Sequence, residues 1–255
     1  AYALLDRPMQ RRFRSHASLR AVELLLHERV PKQLARIPHL GELVKDTPVG
    51  VSAPPVLFVV NTPHTPRPEV HLLSNGRYSV MVTAAGGGYS RWKGLALTRW
   101  REDPTRDDWG TFCYVRELNV TDDVEHSREA GGRRWSAMHQ PTGVEAEHYE
   151  AIFPQSRAEF RRRDHGIDLH SELTVSPEDD IELRRFTLSN LGSMTRVIEL
   201  TSYAEVVLAP QGADEAHPAF SNLFVETEVL PAVQAILCSR RPRTDDEHTP
   251  LLFHL

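Results

Sequence analysis

The chain has 255 residues, of which 40% are hydrophobic and 25% charged, so it can bury a core and is neither a disordered polymer nor a membrane-embedded protein. Its 30 basic and 35 acidic residues give a net charge of −5, which excludes a sequence-blind nucleic-acid binder, because phosphate contact needs a basic field. Two cysteines, Cys113 and Cys238, are too few for a disulfide framework and read as buried free thiols of a reducing compartment.

The chain starts AYALLD and stops in the apolar run PLLFHL, which reads as a piece of a longer polypeptide. No apolar run approaches the roughly 18–20 residues that span a bilayer, and no apolar segment follows the N-terminal arginines as a signal peptide requires. Residues 15–37 read as a helix: Ser15 or Ser18 can cap it, Leu19, Val22, Leu25 or Leu26, and Val30 recur at helical spacing, and Pro31 interrupts it. Residues 38–55 are punctuated by Pro and Gly and form a connector, giving a helical lead-in and linker over 1–50 and a β-sandwich domain over 51–255. A second proline cluster, NTPHTPRPEV at 61–70, is irregular and exposed.

Strand patterns dominate after residue 70. In HLLSNGRYSVMVTAAG the Asn75-Gly76 step between apolar runs predicts a hairpin, since both residues tolerate positive φ. Alternation recurs at 94–100, 111–118, 166–175, 180–190 and 195–209, separated by turn residues. Short, regularly spaced strands without long helices between them predict an all-β sandwich or barrel and disfavour a parallel βαβ sheet.

The run Gly86-Gly87-Gly88 lacks the spacing of a nucleotide loop and marks a bend where another segment or a ligand approaches the backbone. The stretch from 86 to 112 holds Trp92, Trp100 and Trp109, three of the four tryptophans, interleaved with arginines and carboxylates. Flat rings beside guanidinium and carboxylate groups suit a pyranose, and Tyr89, Trp92, Trp100, Arg101, Asp103 and Trp109 are the candidate carbohydrate-binding residues. The same composition also suits a structural Arg–Asp network with tryptophan in the core. The thirteen histidines carry no metal-ligand spacing, and His64, His71, His139 and His148 read as surface or satisfied histidines. No G-x-S-x-G occurs, and Cys113 lies in a strand rather than at a helix start, so no catalytic residue, metal or cofactor is assigned. Adjacent acids such as Asp122-Asp123, Asp179-Asp180, Asp214-Glu215 and Asp245-Asp246-Glu247 read as solvated turns.

The segment HLLSNGRYSVMVTAAGGGYSRWKGLALTRWREDPTRDDWGTFCYVRE resembles the start of the family 94 glycoside phosphorylases, formerly glycosyltransferase family 36. The likeness is closest to the C-terminal phosphorylase-like part of cyclic β-1,2-glucan synthases. LRRFTLSN at 183–190, ELTSYAEVVLAP at 199–210 and HPAFSNLFVETE at 217–228 extend it, and SLRAVELLLHERVPKQ resembles the segment that precedes this unit.

The resemblance implies a mainly β fold, a β-supersandwich of the galactose-mutarotase-like type, here cut before its last strands. It implies a non-catalytic domain that binds or guides a β-glucan oligosaccharide and packs against the (α/α)6 catalytic domain of a parent chain. It also implies a possible homodimer, and a place on the cytoplasmic face of the inner membrane as part of a larger membrane protein. Two rivals remain: a mutarotase-like sugar epimerase built on His165, His170 and Glu172, and a purely structural dimerisation module.

Overall fold

A computed structural model describes residues 57–103, 105–118, 132–242 and 250–255, all within the unit Ala53–Leu255. The expected helix at 15–37 and the connector at 38–55 lie outside the described residues.

In chain order the first strands are β1 (Phe58–Val60), β2 (Val70–Ser74), β3 (Tyr78–Thr83), β4 (Gly88–Trp92), β5 (Leu95–Thr98) and β6 (Thr111–Glu117). There follow β7 (Arg133–Ser136), β8 (His148–Phe153), β9 (Ala158–Asp164), β10 (Ile167–Val175) and β11 (Glu182–Asn190). The last are β12 (Ile198–Ala204), β13 (Val206–Ala209), β14 (Val225–Leu230), β15 (Ala235–Arg240) and β16 (Leu252–His254). Two short helices, α1 (Gln211–Ala216) and α2 (Pro218–Asn222), lie between β13 and β14.

The strands form four antiparallel sheets, ordered β1-β8-β9-β10-β11, β13-β5-β4-β3-β2, β12-β6-β7 and β14-β15-β16. The two five-stranded sheets enclose the main core, in which Val80 and Val82 of β3 meet Ala151, Phe153, Phe160 and Leu173 of β8, β9 and β10. A second core joins Cys113, Val115 and Trp135 of β6 and β7 to Ile167 and Leu169 of β10. One strand therefore serves both. The odd-numbered residues of β10 from Ile167 to Leu173 all point inward, as strict period-two alternation requires. Both cysteines are free and buried, Cys113 in the second core and Cys238 in the first.

The alternating runs at 94–100, 111–118, 166–175 and 180–190 correspond to β5, β6, β10 and β11. The run at 195–209 does not form one strand. It divides at Glu205 into β12, which pairs with β6, and β13, which pairs with β5 in another sheet. The division is held from across the fold: the Glu205 carbonyl accepts from Arg99 N at 2.8 Å, and its carboxylate takes the Arg99 guanidinium at 2.6 Å. The hairpin at Asn75-Gly76 forms, but only Gly76 has positive φ, at 89°. Asn75 contributes through its side chain, whose oxygen accepts from the backbone N–H groups of Arg77 and Tyr78.

Of the basic run at 161–164, Arg162 faces inward and is fully buried. Its guanidinium donates to both Asp164 oxygens at 2.6 and 2.7 Å, and to the carbonyls of Ser136, Met138 and Val144 at 2.9, 2.6 and 3.2 Å. All five N–H groups are satisfied. This fastens the segment after β7, residues 137–147, against β9. Replacing Arg162 with Leu strands the Asp164 carboxylate and three carbonyls in the interior. Urea denaturation is expected to register a loss of about 3–5 kcal/mol. Arg163→Ala, which removes an exposed pair with Asp168, should cost under about 1 kcal/mol.

Candidate functional site

The stretch from 86 to 112 forms β4, β5, the start of β6 and the segment linking β5 to β6. Its three consecutive glycines, Gly86, Gly87 and Gly88, are each crowded by another segment, as the bend reading expects. A Cβ on Gly86 would overlap the Met138 side chain, one on Gly87 the Asp107 carboxylate, and one on Gly88 the Met81 carbonyl oxygen. The Gly88 N–H donates to the Trp109 carbonyl at 2.7 Å, so the linking segment lies on the glycine backbone itself.

Period-two alternation sorts the aromatic residues. Tyr89 and Arg91 project from one face of β4, Ser90 and Trp92 from the other. On the first face the Tyr89 and Trp100 rings meet edge-on with centroids 5.6 Å apart, and the Arg91 guanidinium lies 4.3 Å above the Tyr89 ring. Arg91 also donates to the Gln211 amide oxygen. Arg91, Trp100 and Gln211, with Arg99, Arg101 and Asp214, line a shallow recess, and Tyr89 borders it through its contacts with Trp100 and Arg91.

Beneath the rings is a buried ion network. Asp214 is 1% exposed, although adjacency to Glu215 suggested a solvated turn; the reason is that two arginines converge on it. Arg99 reaches its carboxylate at 3.1 and 3.3 Å and Arg101 at 2.5 Å. Burial alone would raise the Asp214 pKa, but hydrogen bonds from Arg99, Ser221 and Arg101 outweigh it and hold the carboxyl below its usual range. Arg101 Nη1 further donates to the Trp100 carbonyl at 3.0 Å, which ties the aromatic shelf to the network.

Of the six candidate residues, the structure thus joins Tyr89, Trp100 and Arg101. Trp92 lies apart: it packs on the main core, and its indole N–H donates to Asp180 at 2.6 Å while Lys93 sits 4.2 Å over its ring. Asp103 accepts from the backbone and hydroxyl of Thr105 at 2.9 and 2.6 Å and closes its own turn. Trp109 is half-buried under the Arg106 guanidinium, with its carbonyl committed to Gly88. The structural Arg–Asp network considered from composition is present, and Arg101 links it to the Trp100 backbone. Sequence reasoning missed Arg91, Gln211 and Asp214 as members. Arg91 was legible, since it shares a strand face with Tyr89; the other two come from a helix more than a hundred residues away.

The rival catalytic set does not assemble. His165 occupies the β9–β10 turn with φ 52°. His170 and Glu172 share an outward face of β10 and are already engaged, His170 in a hydrogen bond with Glu159 at 3.0 Å and Glu172 in an ion pair with Arg185.

Asp107 is the one carboxylate of this segment whose pKa is raised. Burial, and secondarily Asp108, raise its pKa from 3.8 to about 6 against a hydrogen bond from Thr83. A raised pKa means that the fold prefers the protonated form. The stabilisation is full below pH 3.8 and is lost as pH rises through about 6. Asp107→Asn should remove that component. Between pH 4 and 7 the native chain is expected to lose on the order of 2–3 kcal/mol that the variant keeps, as read by denaturation at a series of pH values.

Comparison with known proteins gives consistent results. The family model described as glycosyl hydrolase 94, supersandwich domain, matches residues 54–255. The chain is 37% identical over 247 residues to the cyclic beta-(1,2)-glucan synthase NdvB of Rhizobium meliloti (strain 1021), covering 95% of this chain and 8% of that protein. It is 23% identical over 176 residues to the N,N'-diacetylchitobiose phosphorylase of Vibrio furnissii, covering 67% of this chain and 21% of that one. The corresponding phosphorylase of Vibrio proteolyticus is 24% identical over 181 residues, with 69% and 21% covered. The chain therefore spans a small part of the length of each of these relatives.

Proposed function

The chain belongs to the glycosyl hydrolase 94 family as its supersandwich domain, and on that premise we propose that it is a non-catalytic carbohydrate-guiding and interface domain of a cyclic β-1,2-glucan synthase or a related phosphorylase. The observation that carries the sugar-guiding part is the Tyr89–Trp100 shelf with Arg91 and Gln211 at its rim. A pyranose ring packs its C–H face on such a surface, and its hydroxyls reach the guanidinium and amide groups. The recess is shallow and its buried arginines are already engaged, so it holds a sugar without chemistry of its own.

In this reading the β-glucan oligosaccharide is the ligand and the reaction belongs to an (α/α)6 catalytic domain of the parent chain. The parent acts at the cytoplasmic face of the inner membrane. Among the described residues no helix is long and apolar enough to cross a membrane.

A second observation favours the interface role. Leu200 and Tyr203 of β12, Val229 of β14 and Phe253 of β16 are exposed large apolar side chains on strands that border the fold. Such a surface suits a neighbouring domain or a second copy.

Titrating the chain with β-1,2-gluco-oligosaccharide should give a millimolar Kd by calorimetry or NMR, about −4 kcal/mol. Trp100→Ala should weaken it about fivefold, or about 1 kcal/mol, whereas Trp92→Ala should lower stability and leave affinity unchanged. No binding at millimolar sugar, when a longer parent chain binds, would reject guiding by this domain alone. For the interface role, light scattering on a size-exclusion column should detect a concentration-dependent dimer that Tyr203→Glu weakens. A strictly monomeric chain at all concentrations would assign that apolar surface to another domain instead.

A further inference from the structure

We infer that His64, His139 and Glu145 form a binding site for a borderline divalent transition-metal cation of the Zn2+ class, separate from the aromatic shelf and independent of the sugar-guiding reading. One ligand atom from each residue lies within 4.8 Å of the other two. His64 Nε2 is 2.7 Å from Glu145 Oε1, and the His64 and His139 rings meet edge-on with centroids 4.8 Å apart. Tetrahedral bonds of about 2.1 Å place ligand atoms about 3.4 Å apart, so the set closes on a cation with side-chain rotations of about 1 Å. The exposed His64 and Glu145 can make those rotations, while His139 is buried and stays fixed.

The site is built rather than accidental. Arg162 donates to the carbonyls of Met138 and Val144, the residues immediately before His139 and Glu145. The same buried guanidinium therefore positions both ligands, and its charge is answered by Asp164. The His139 carbonyl is held by Gly143 N at 3.0 Å and Ser136 Oγ at 3.1 Å, which fixes the ring's backbone. His64 comes from the β1–β2 connection, between Pro63 and Pro66, whose fixed φ angles limit its movement. Pre-positioned ligands lose little freedom on binding.

Ligand chemistry narrows the cation. Two imidazoles and one carboxylate suit Zn2+, Co2+ or Ni2+, whereas Ca2+ and Mg2+ require oxygen-dominated shells. Three protein ligands, two of them exposed, leave a coordination position open to water. No sequence motif announces the site, because His64 and His139 are brought together from connections far apart in the chain.

The test uses the full 255-residue chain, ZnCl2 alone and a competing chromophoric chelator. One Zn2+ per chain should bind more tightly than any others, and His64→Ala and Glu145→Gln should each weaken that site by at least roughly 10-fold. Both positions are exposed, and unchanged circular dichroism will verify that the variants fold. Co2+ bound to the native chain should show d–d absorption that both variants lose. The inference is overturned if the variants bind Zn2+ as the native chain does, since the metal then sits on other histidines. It is equally overturned if Mg2+ or Ca2+ competes on equal terms.

Discussion

The buried guanidinium of Arg162 is the constraint on which much of this fold depends. A fully desolvated cation is tolerable only when its charge and all its donors are answered, and here Asp164 and three carbonyls do so. Two of those carbonyls, of Met138 and Val144, belong to the segment after β7 and the third, of Ser136, ends β7, so the demand of one side chain dictates the path of a loop. The consequence propagates. Met138 is set against Gly86, where no larger residue fits. The adjoining Gly87 and Gly88 then admit Asp107 and the Trp109 carbonyl, which seats the segment leading out of the aromatic shelf.

A second buried ion network does comparable work at the other end of that segment. Asp214 gathers Arg99 and Arg101, and Arg99 also takes Glu205 at the junction of β12 and β13. Removing either arginine would leave charge uncompensated in the interior, so these groups are conscripted by the fold. This division of labour explains why a segment dense in charge offers so few free charges. The arginines below the shelf hold position, and Arg91 and the ring faces remain for contact.

Local pattern made a large part of this legible. Strict alternation in β10, and the turn at Asn75-Gly76, are decided by neighbours in sequence, and the likeness around Leu72–Arg116 supplied the fold class. Long-range pairing was not legible. Alternation continues through 195–209, and only the grip of Arg99 on Glu205 divides it between two sheets. Asp214 looked solvated because its acidic neighbour is adjacent in sequence while its arginine partners are 115 and 113 residues away. Trp92 joined the candidate list by composition and left it by parity, since it projects from the opposite face of β4 to Tyr89.

The distribution of satisfied and unsatisfied groups bears on what such a domain is for. Among the described residues, the buried ion groups are closed on one another at Arg162 and at Asp214. Apolar groups are not. β12 is exposed or half-exposed along its whole length, although its partner β6 carries the fully buried Val115 opposite Leu200. β14 likewise leaves Val229 two-thirds exposed. Among the described residues, the buried ion networks are committed internally while apolar area stays open at the borders. That pattern supports the proposed interface role: a unit whose rigidity is self-contained and whose apolar border suits a covering neighbour.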